Sequence, residues 1–283
     1  MLTTRRQRWA VDCPVALSAA RKWLWLPRKW WVSLPDVPSL RRHRECNHDT
    51  FVSFRRSLRP VRGGPVRCAA GAGREVTRLL HVKATPTGPR SRSAAVAEAF
   101  VDAFLECHPQ ATLDVLDLSA TTLPPVGAVA VAAKKNAISG ATGSADEAMS
   151  WQQTQELVRR FTDADHYLFS VPMWNFGIPY LLKHFIDIVT QPGLTFRLDP
   201  RHGYQGLLTG RRACVVYTSG VYTPGCPPEF GVDFQSAYLN YWLRTIGVDP
   251  VIEVALRPTD FTRSLAADLE RAREDARKAA HTI

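Results

Sequence analysis

The sequence predicts a doubly wound α/β domain over residues 76–283, built on a five-stranded parallel sheet with helices on both faces. Three observations carry that expectation. Short apolar runs alternate with segments of helical period, most runs end in loops rich in Pro, Gly or hydroxyl residues, and the segment is nearly electroneutral while everything before it is strongly basic. Strands and helices that alternate in this way form parallel sheets, because right-handed crossovers lay the helices on both faces.

Residues 77–85 (TRLLHVKAT) are a short apolar run ending in a Pro/Gly loop, the pattern of a buried strand. A helix follows over 91–108, where Val96, Phe100, Val101, Phe104 and Leu105 recur at helical spacing and Ser93 is the expected N-cap. Residues 111–118 (ATLDVLDL) alternate as a second strand, and 147–161 are helical by the spacing of Trp151, Leu157, Val158 and Phe161. The third strand, 166–173 (HYLFSVPM), leads into a helix over 179–190 with Pro179 in its first turn. Residues 211–219 (RRACVVYTS) are the fourth strand, 234–245 a helix and 251–256 the fifth strand. A closing amphipathic helix over 262–280 sets Leu265, Leu269, Ala272 and Ala276 on one stripe.

Charge divides the chain in two. Of the 36 Lys and Arg and 26 Asp and Glu in the 283 residues, 16 basic and 5 acidic residues fall in 1–75, leaving 20 and 21 for the remainder. The same segment holds Trp9, Trp23, Trp25, Trp30 and Trp31, lacks sustained period, and is broken by Pro27, Pro35 and Pro38. Three functional readings are open to it: an Arg-rich targeting peptide, a basic aromatic arm for nucleic acid or anionic membrane, and a metal site from His43, Cys46 and His48. The cluster has no second pair at zinc spacing, so no metal is expected. The favoured reading is an unstructured extension or a start assigned too far upstream. The expected product then begins at Val76, read from a GTG codon, which intact mass checks. Nucleic acid remains a partner only through this extension. No apolar run approaches the roughly 18 residues of a spanning helix, so no membrane partner is expected. Sparse, irregular cysteines (Cys107, Cys214, Cys226) suit a reduced, cytoplasmic protein.

In doubly wound sheets ligands sit at the carboxyl ends of the strands. That directs attention to three loops. The first, 85–93 (TPTGPRSRS), offers hydroxyls and Arg92 at a helix N-terminus, where exposed N–H groups and the helix dipole favour a phosphate. It is neither a Walker loop nor a GxGxxG turn, which disfavours ATP and a dinucleotide-fold NAD site. The second, 172–179 (PMWNFGIP), sets Trp174 and Phe176 where polar residues are usual; either suits the flat face of an isoalloxazine ring, with backbone groups of Asn175 and Phe176 at its polar edge. Core packing of these aromatics is the alternative. The third, Thr218-Ser219-Gly220-Val221-Tyr222, has small residues that let N–H groups approach N1 and O2 of a reduced flavin.

These residues carry a resemblance. Residues 76–283 resemble the FMN-dependent NADH-azoreductases, a branch of the flavodoxin-like quinone reductases. The most specific stretch is 172–196 (PMWNFGIPYLLKHFIDIVTQPGLTF), similar to that family's P-M-Y/W-N-F-x-I-P, L-K-x-x-x-D and G-x-T-F; Ser91-Arg92-Ser93 stands at its S-x-S phosphate contact and Thr85 at an upstream Ser. The resemblance implies a strand order of 2-1-3-4-5, a bound FMN contacted by Met173, Trp174, Asn175 and Phe176, and NADH as hydride donor. It implies ping-pong two-electron reduction of a quinone or azo acceptor, in a homodimer with FMN at the interface. Tyr222 and His202 are candidate proton donors to the acceptor. The helix over 179–190 carries apolar residues on more than one side, which suggests a partner surface, with 193–196 reaching toward the second subunit's site. The chain departs from the family in two places. After the fourth strand the usual Thr-Ser/Ala-Arg-Gly-Gly becomes a run one residue shorter, and the Ala- and Gly-rich stretch 124–145 shares little with it. Two rivals remain: a flavodoxin-type electron carrier without NADH turnover, and nucleic-acid binding through the extension.

Overall fold

The computed structural model describes residues 76–85 and 91–283. The readings of the extension, its targeting, nucleic-acid and metal alternatives included, fall outside these residues. The elements in chain order are β1 (Arg78–Lys83), α1 (Arg92–Cys107), β2 (Thr112–Asp117), α2 (Ala128–Ser139), α3 (Ala145–Thr162), β3 (His166–Pro172), α4 (Tyr180–Val189), β4 (Phe196–Asp199), β5 (Gly203–Gly206), β6 (Arg212–Thr218), α5 (Gln235–Thr245), β7 (Val251–Leu256) and α6 (Leu265–Ala280).

Five strands form one parallel sheet in the order β2-β1-β3-β6-β7. Numbered within the sheet alone, this is the expected 2-1-3-4-5. The alternation of side chains explains both faces. Leu80, Val82, Tyr167, Phe169, Val215 and Tyr217 point into one core with α3, α4 and α5. Their neighbours Leu79, Leu168, Cys214 and Val216 point into the other, against α1 and α6. Central strands buried on both sides read as continuous apolar runs, which is why β3 and β6 were legible. β2 is an edge, and Arg160 of α3 covers it with two bonds to Asp114 (2.8 and 2.6 Å) and one to the Val115 carbonyl (3.0 Å). A charged side chain on an edge strand blocks sheet-to-sheet pairing.

Four sequence expectations need correction. The N-cap of α1 is Ser91, whose hydroxyl accepts from the Ala94 amide, while Ser93 lies inside the first turn and is buried. The stretch 124–145 contains a further helix, α2, ended by Gly140 at φ 70°. Its valines are largely exposed, so it has no apolar stripe to reveal it. An antiparallel hairpin, β4–β5, follows α4 and was not foreseen. Finally, the apolar excess of α4 is mostly core: Leu182, Phe185, Ile186, Ile188 and Val189 are buried, and only Tyr180 stands out, at 68% exposure.

The 193–196 stretch has a structural task as well. Thr195 is fully buried; its hydroxyl donates to the Val189 carbonyl (3.0 Å) and accepts from the Gln191 amide (3.0 Å), which closes α4. The hairpin then docks through Gly206, where an added Cβ would lie 2.0 Å from the Gly247 nitrogen, and through the Leu208 amide to the Ile246 carbonyl (2.9 Å).

Candidate functional site

The three loops marked by the sequence converge at the carboxyl ends of β1, β3 and β6. They enclose an open cavity of about 640 Å³ lined by Thr85, Ser91, Arg92, Ser93, Pro172, Met173, Trp174, Thr218, Ser219, Gly220, Thr259 and Asp260. This lies within the roughly 300–1,000 Å³ usual for small-ligand sites. Other described clefts surround α2 and α3 and lack such a concentration of hydroxyls.

One end of the cavity is built for an anion. The α1 N-terminus opens there, and the Ser91 and Ser93 hydroxyls stand 3.1 Å apart. Helix N–H groups, neutral hydroxyls and the positive dipole end together favour a phosphate. Thr85 is buried at the same end. Residues 86–90, the middle of the first loop, lie outside the described residues. Arg92 does not turn inward alone: its Nη1 donates to Asp260 Oδ1 at 2.8 Å. Asp260 and Thr259 were missed by the sequence reading. They follow the fifth strand of the sheet, so the rule that ligands gather at strand carboxyl ends covers that loop too and would have found them.

The second loop forms the apolar side. The Trp174 and Gly177 backbones exchange two hydrogen bonds of 2.9 Å, closing a two-residue turn with Asn175 at φ 47° and Phe176 at φ 70°. Left-handed φ at Asn is tolerated, but at Phe it costs about 1–2 kcal/mol. The strain is held in place by the Phe234 amide, which donates to the Phe176 carbonyl (3.0 Å), and by Gly231, whose missing Cβ leaves room for the Phe176 ring. Strain of this kind collects at functional loops. Met173 and Trp174 line the cavity, while Asn175 and Phe176 form the turn tip beyond the lining, Phe176 being 54% exposed. A Phe176→Gly variant is expected to melt no lower than the parent, since glycine relieves the turn, yet to bind FMN more weakly. Paired thermal and flavin-titration measurements check both halves.

The third loop lies against the loop after β7. The Thr259 amide donates to the Ser219 carbonyl (2.9 Å) and the Asp260 amide to the Gly220 carbonyl (2.9 Å). Gly220 permits this closeness, because a Cβ there would meet Asp260 Oδ2 at 2.5 Å. Ser219 and Gly220 line the cavity; Val221 and Tyr222 stand outside the lining. The Ser219 hydroxyl donates to the Tyr222 carbonyl (2.5 Å), fixing the turn. Burial pushes the Tyr222 phenol pKa up, the Asp233 charge adds to the rise and Arg257 opposes it, so the phenol stays protonated. His202 is elsewhere, at the β4–β5 hairpin turn. Asp199 Oδ1 holds it there, accepting from the His202 amide (2.8 Å) and lying 2.9 Å from its Nδ1.

Fold and cavity together define a doubly wound α/β protein whose strand-end cavity is lined by hydroxyls at a helix N-terminus and by Met173 and Trp174. A family profile described as the flavodoxin-like fold matches residues 77–280. A Ruegeria pomeroyi protein named FMN-dependent NADH:quinone oxidoreductase is 43% identical over 197 residues, 70% of this chain and 97% of that protein. One of the same name from Desulfotalea psychrophila is 41% identical over 184 residues, 65% of this chain and 86% of its own. The crystal structure of an azoreductase from Bacillus anthracis superposes with a TM-score of 0.68 at 26% identity, covering 73% of this chain and all of that one. The chain belongs to the flavodoxin-like fold family and, within it, to the branch of FMN-dependent NADH:quinone oxidoreductases and azoreductases.

Proposed function

We infer that the chain is an FMN-dependent NADH:quinone oxidoreductase that also reduces azo compounds. The observation that carries this is the convergence of an anion-binding helix terminus and an apolar, Trp-bearing turn in one cavity of matching size. Its relatives' names support the same activity.

The donor set fits FMN. Thr85, Ser91 and Ser93, with the α1 N-terminus and Arg92, would hold the phosphate. Met173, Trp174, Asn175 and Phe176 would hold the ring, and Ser219, Gly220, Val221 and Tyr222 its pyrimidine edge. FMN held by these residues would supply the redox chemistry, hydride acceptance from NADH and two-electron transfer to the acceptor. The protein's task is to orient the ring, leave one face open and keep a proton at hand. Tyr222, protonated at the end of the third loop, is the better donor; His202 is engaged by Asp199 on the hairpin. Two copies are proposed to pair with the FMN sites at their interface, supported by the exposure of Tyr180, Leu198 and Tyr204; light scattering checks the mass.

The test is a visible spectrum of the purified protein with added FMN, followed by anaerobic NADH with and without menadione. Flavin absorbance near 450 nm (the usual oxidised-flavin band) that NADH bleaches and menadione restores is the expected result. A protein that takes up no FMN overturns the reading. Binding without bleaching makes it an electron carrier. Salt-sensitive DNA retention lost on removing 1–75 would assign nucleic-acid binding to the extension alone.

A further inference from the structure

We propose that Arg257 and Asp233 form a charged brace that positions the FMN ring site, setting the second and third loops against each other and balancing the charge behind the ring's pyrimidine edge. The proposal rests on the FMN reading above.

Arg257 directly follows β7, and its side chain is only 5% exposed. Nη1 donates to Asp233 Oδ2 (2.8 Å) and Nη2 to Gln235 Oε1 (2.6 Å). Its Cζ lies 5.0 Å from the Tyr217 ring centre and 5.5 Å from that of Tyr222. Tyr217 immediately precedes the cavity-lining Thr218 and Ser219, so the guanidinium stands directly behind that wall. Gln235 carries the connection onward, donating to the Val171 carbonyl (2.8 Å) just before Pro172 and Met173 of the second loop. One cation thus touches the third loop through Tyr222 and the second through Gln235.

Stability alone gives weak grounds for such an arrangement. A buried ion pair is often no better than apolar residues of the same volume, and the buried Arg257 Nε has no hydrogen-bond partner among the described residues. Rigid placement and a fixed field are what it provides. Asp233 is anchored independently by the Gln235 and Ser236 amides (2.9 and 2.8 Å) and the Ser236 hydroxyl (2.6 Å). It therefore keeps its charge and place if Arg257 is changed. Reduction of FMN adds negative charge at the pyrimidine edge, which a buried cation favours and a buried anion opposes.

The test is the midpoint potential of FMN bound to the full-length protein at pH 8, with its Kd, in Arg257→Met, Asp233→Asn and Arg257→Lys. R257M is expected to lower the potential and D233N to raise it. R257M should weaken FMN binding about tenfold, because the two loops lose their shared anchor. R257K restores the potential without restoring the Kd, since an ammonium keeps the charge but cannot span Asp233, Gln235 and both rings. Shifts of the same sign in R257M and D233N, or none, overturn the proposal, because a merely structural defect would not reverse sign between the partners. If R257M does not fold, an unchanged potential in D233N overturns it equally. Parent protein that takes up no FMN would instead defeat the functional reading.

Discussion

Ser93→Asp protein is expected to fold and to lose FMN. Position 93 is buried in the first turn of α1, which carries no acidic residue, so a carboxylate there incurs a desolvation cost that the helix dipole partly offsets, and the fold survives with a lowered Tm. The same carboxylate meets the phosphate. Two charges about 4 Å apart at an effective dielectric near 20 repel by about 4 kcal/mol, and a hydroxyl donor is lost besides. The FMN Kd should rise at least about a hundredfold, roughly 2.7 kcal/mol. Riboflavin, which has no phosphate, should bind parent and variant alike. An unchanged Kd for FMN would remove the phosphate from this end of the cavity.

Acid should begin to destabilise the domain above the carboxylate range, from about pH 6.5 downward. His81 is 6% exposed, its Nε2 lies 2.6 Å from the Ser170 hydroxyl, and burial, helped by the Lys83 charge, pushes its pKa down from 6.5 to about 4. His166, depressed to about 4 by burial and by His108, acts in the same direction. Such groups are neutral when folded and take up a proton when unfolded. Their contribution is complete above pH 6.5 and is lost as pH falls to about 4. For His81 alone the loss is about 3 kcal/mol. Urea unfolding across that window should show falling stability, with a flatter dependence in His81→Gln. A parent whose stability is level from pH 6.5 to 4 contradicts the assignment.

β1, β3 and β6 were legible because burial on both faces leaves near-continuous apolar runs such as LFSV of β3 and CVVY of β6, and the edge strand β2 by its alternation, with amphipathic helices between them. α2 was not, because most of its apolar residues face outward and only Ala133 is buried. The hairpin was not, because Leu198 and Tyr204 pair on an exposed face and offer no buried side to alternate with. At the site, Ser91, Ser93, Met173, Trp174, Ser219 and Gly220 were visible as unusual residues in loops at predicted strand ends. Asp260 was hidden by the absence of any local motif. Arg257 was hidden for another reason: its meaning lies in partners 22 to 40 positions away, Gln235 and Tyr217 among them, that only the folded chain assembles.

The β4–β5 hairpin lies within the connection between two strands that are immediate neighbours in the sheet, β3 and β6. Both strands keep their register regardless of what that connection contains, because their pairing from His166–Arg212 to Pro172–Thr218 is set in the core. Between Thr195 and Gly206, which fix the two ends of the insert to the core, residues 197–205 can therefore vary with little consequence for the cavity walls. The outer part of the hairpin is thus a place where the chain can be rebuilt while the strand ends that frame the cavity hold still.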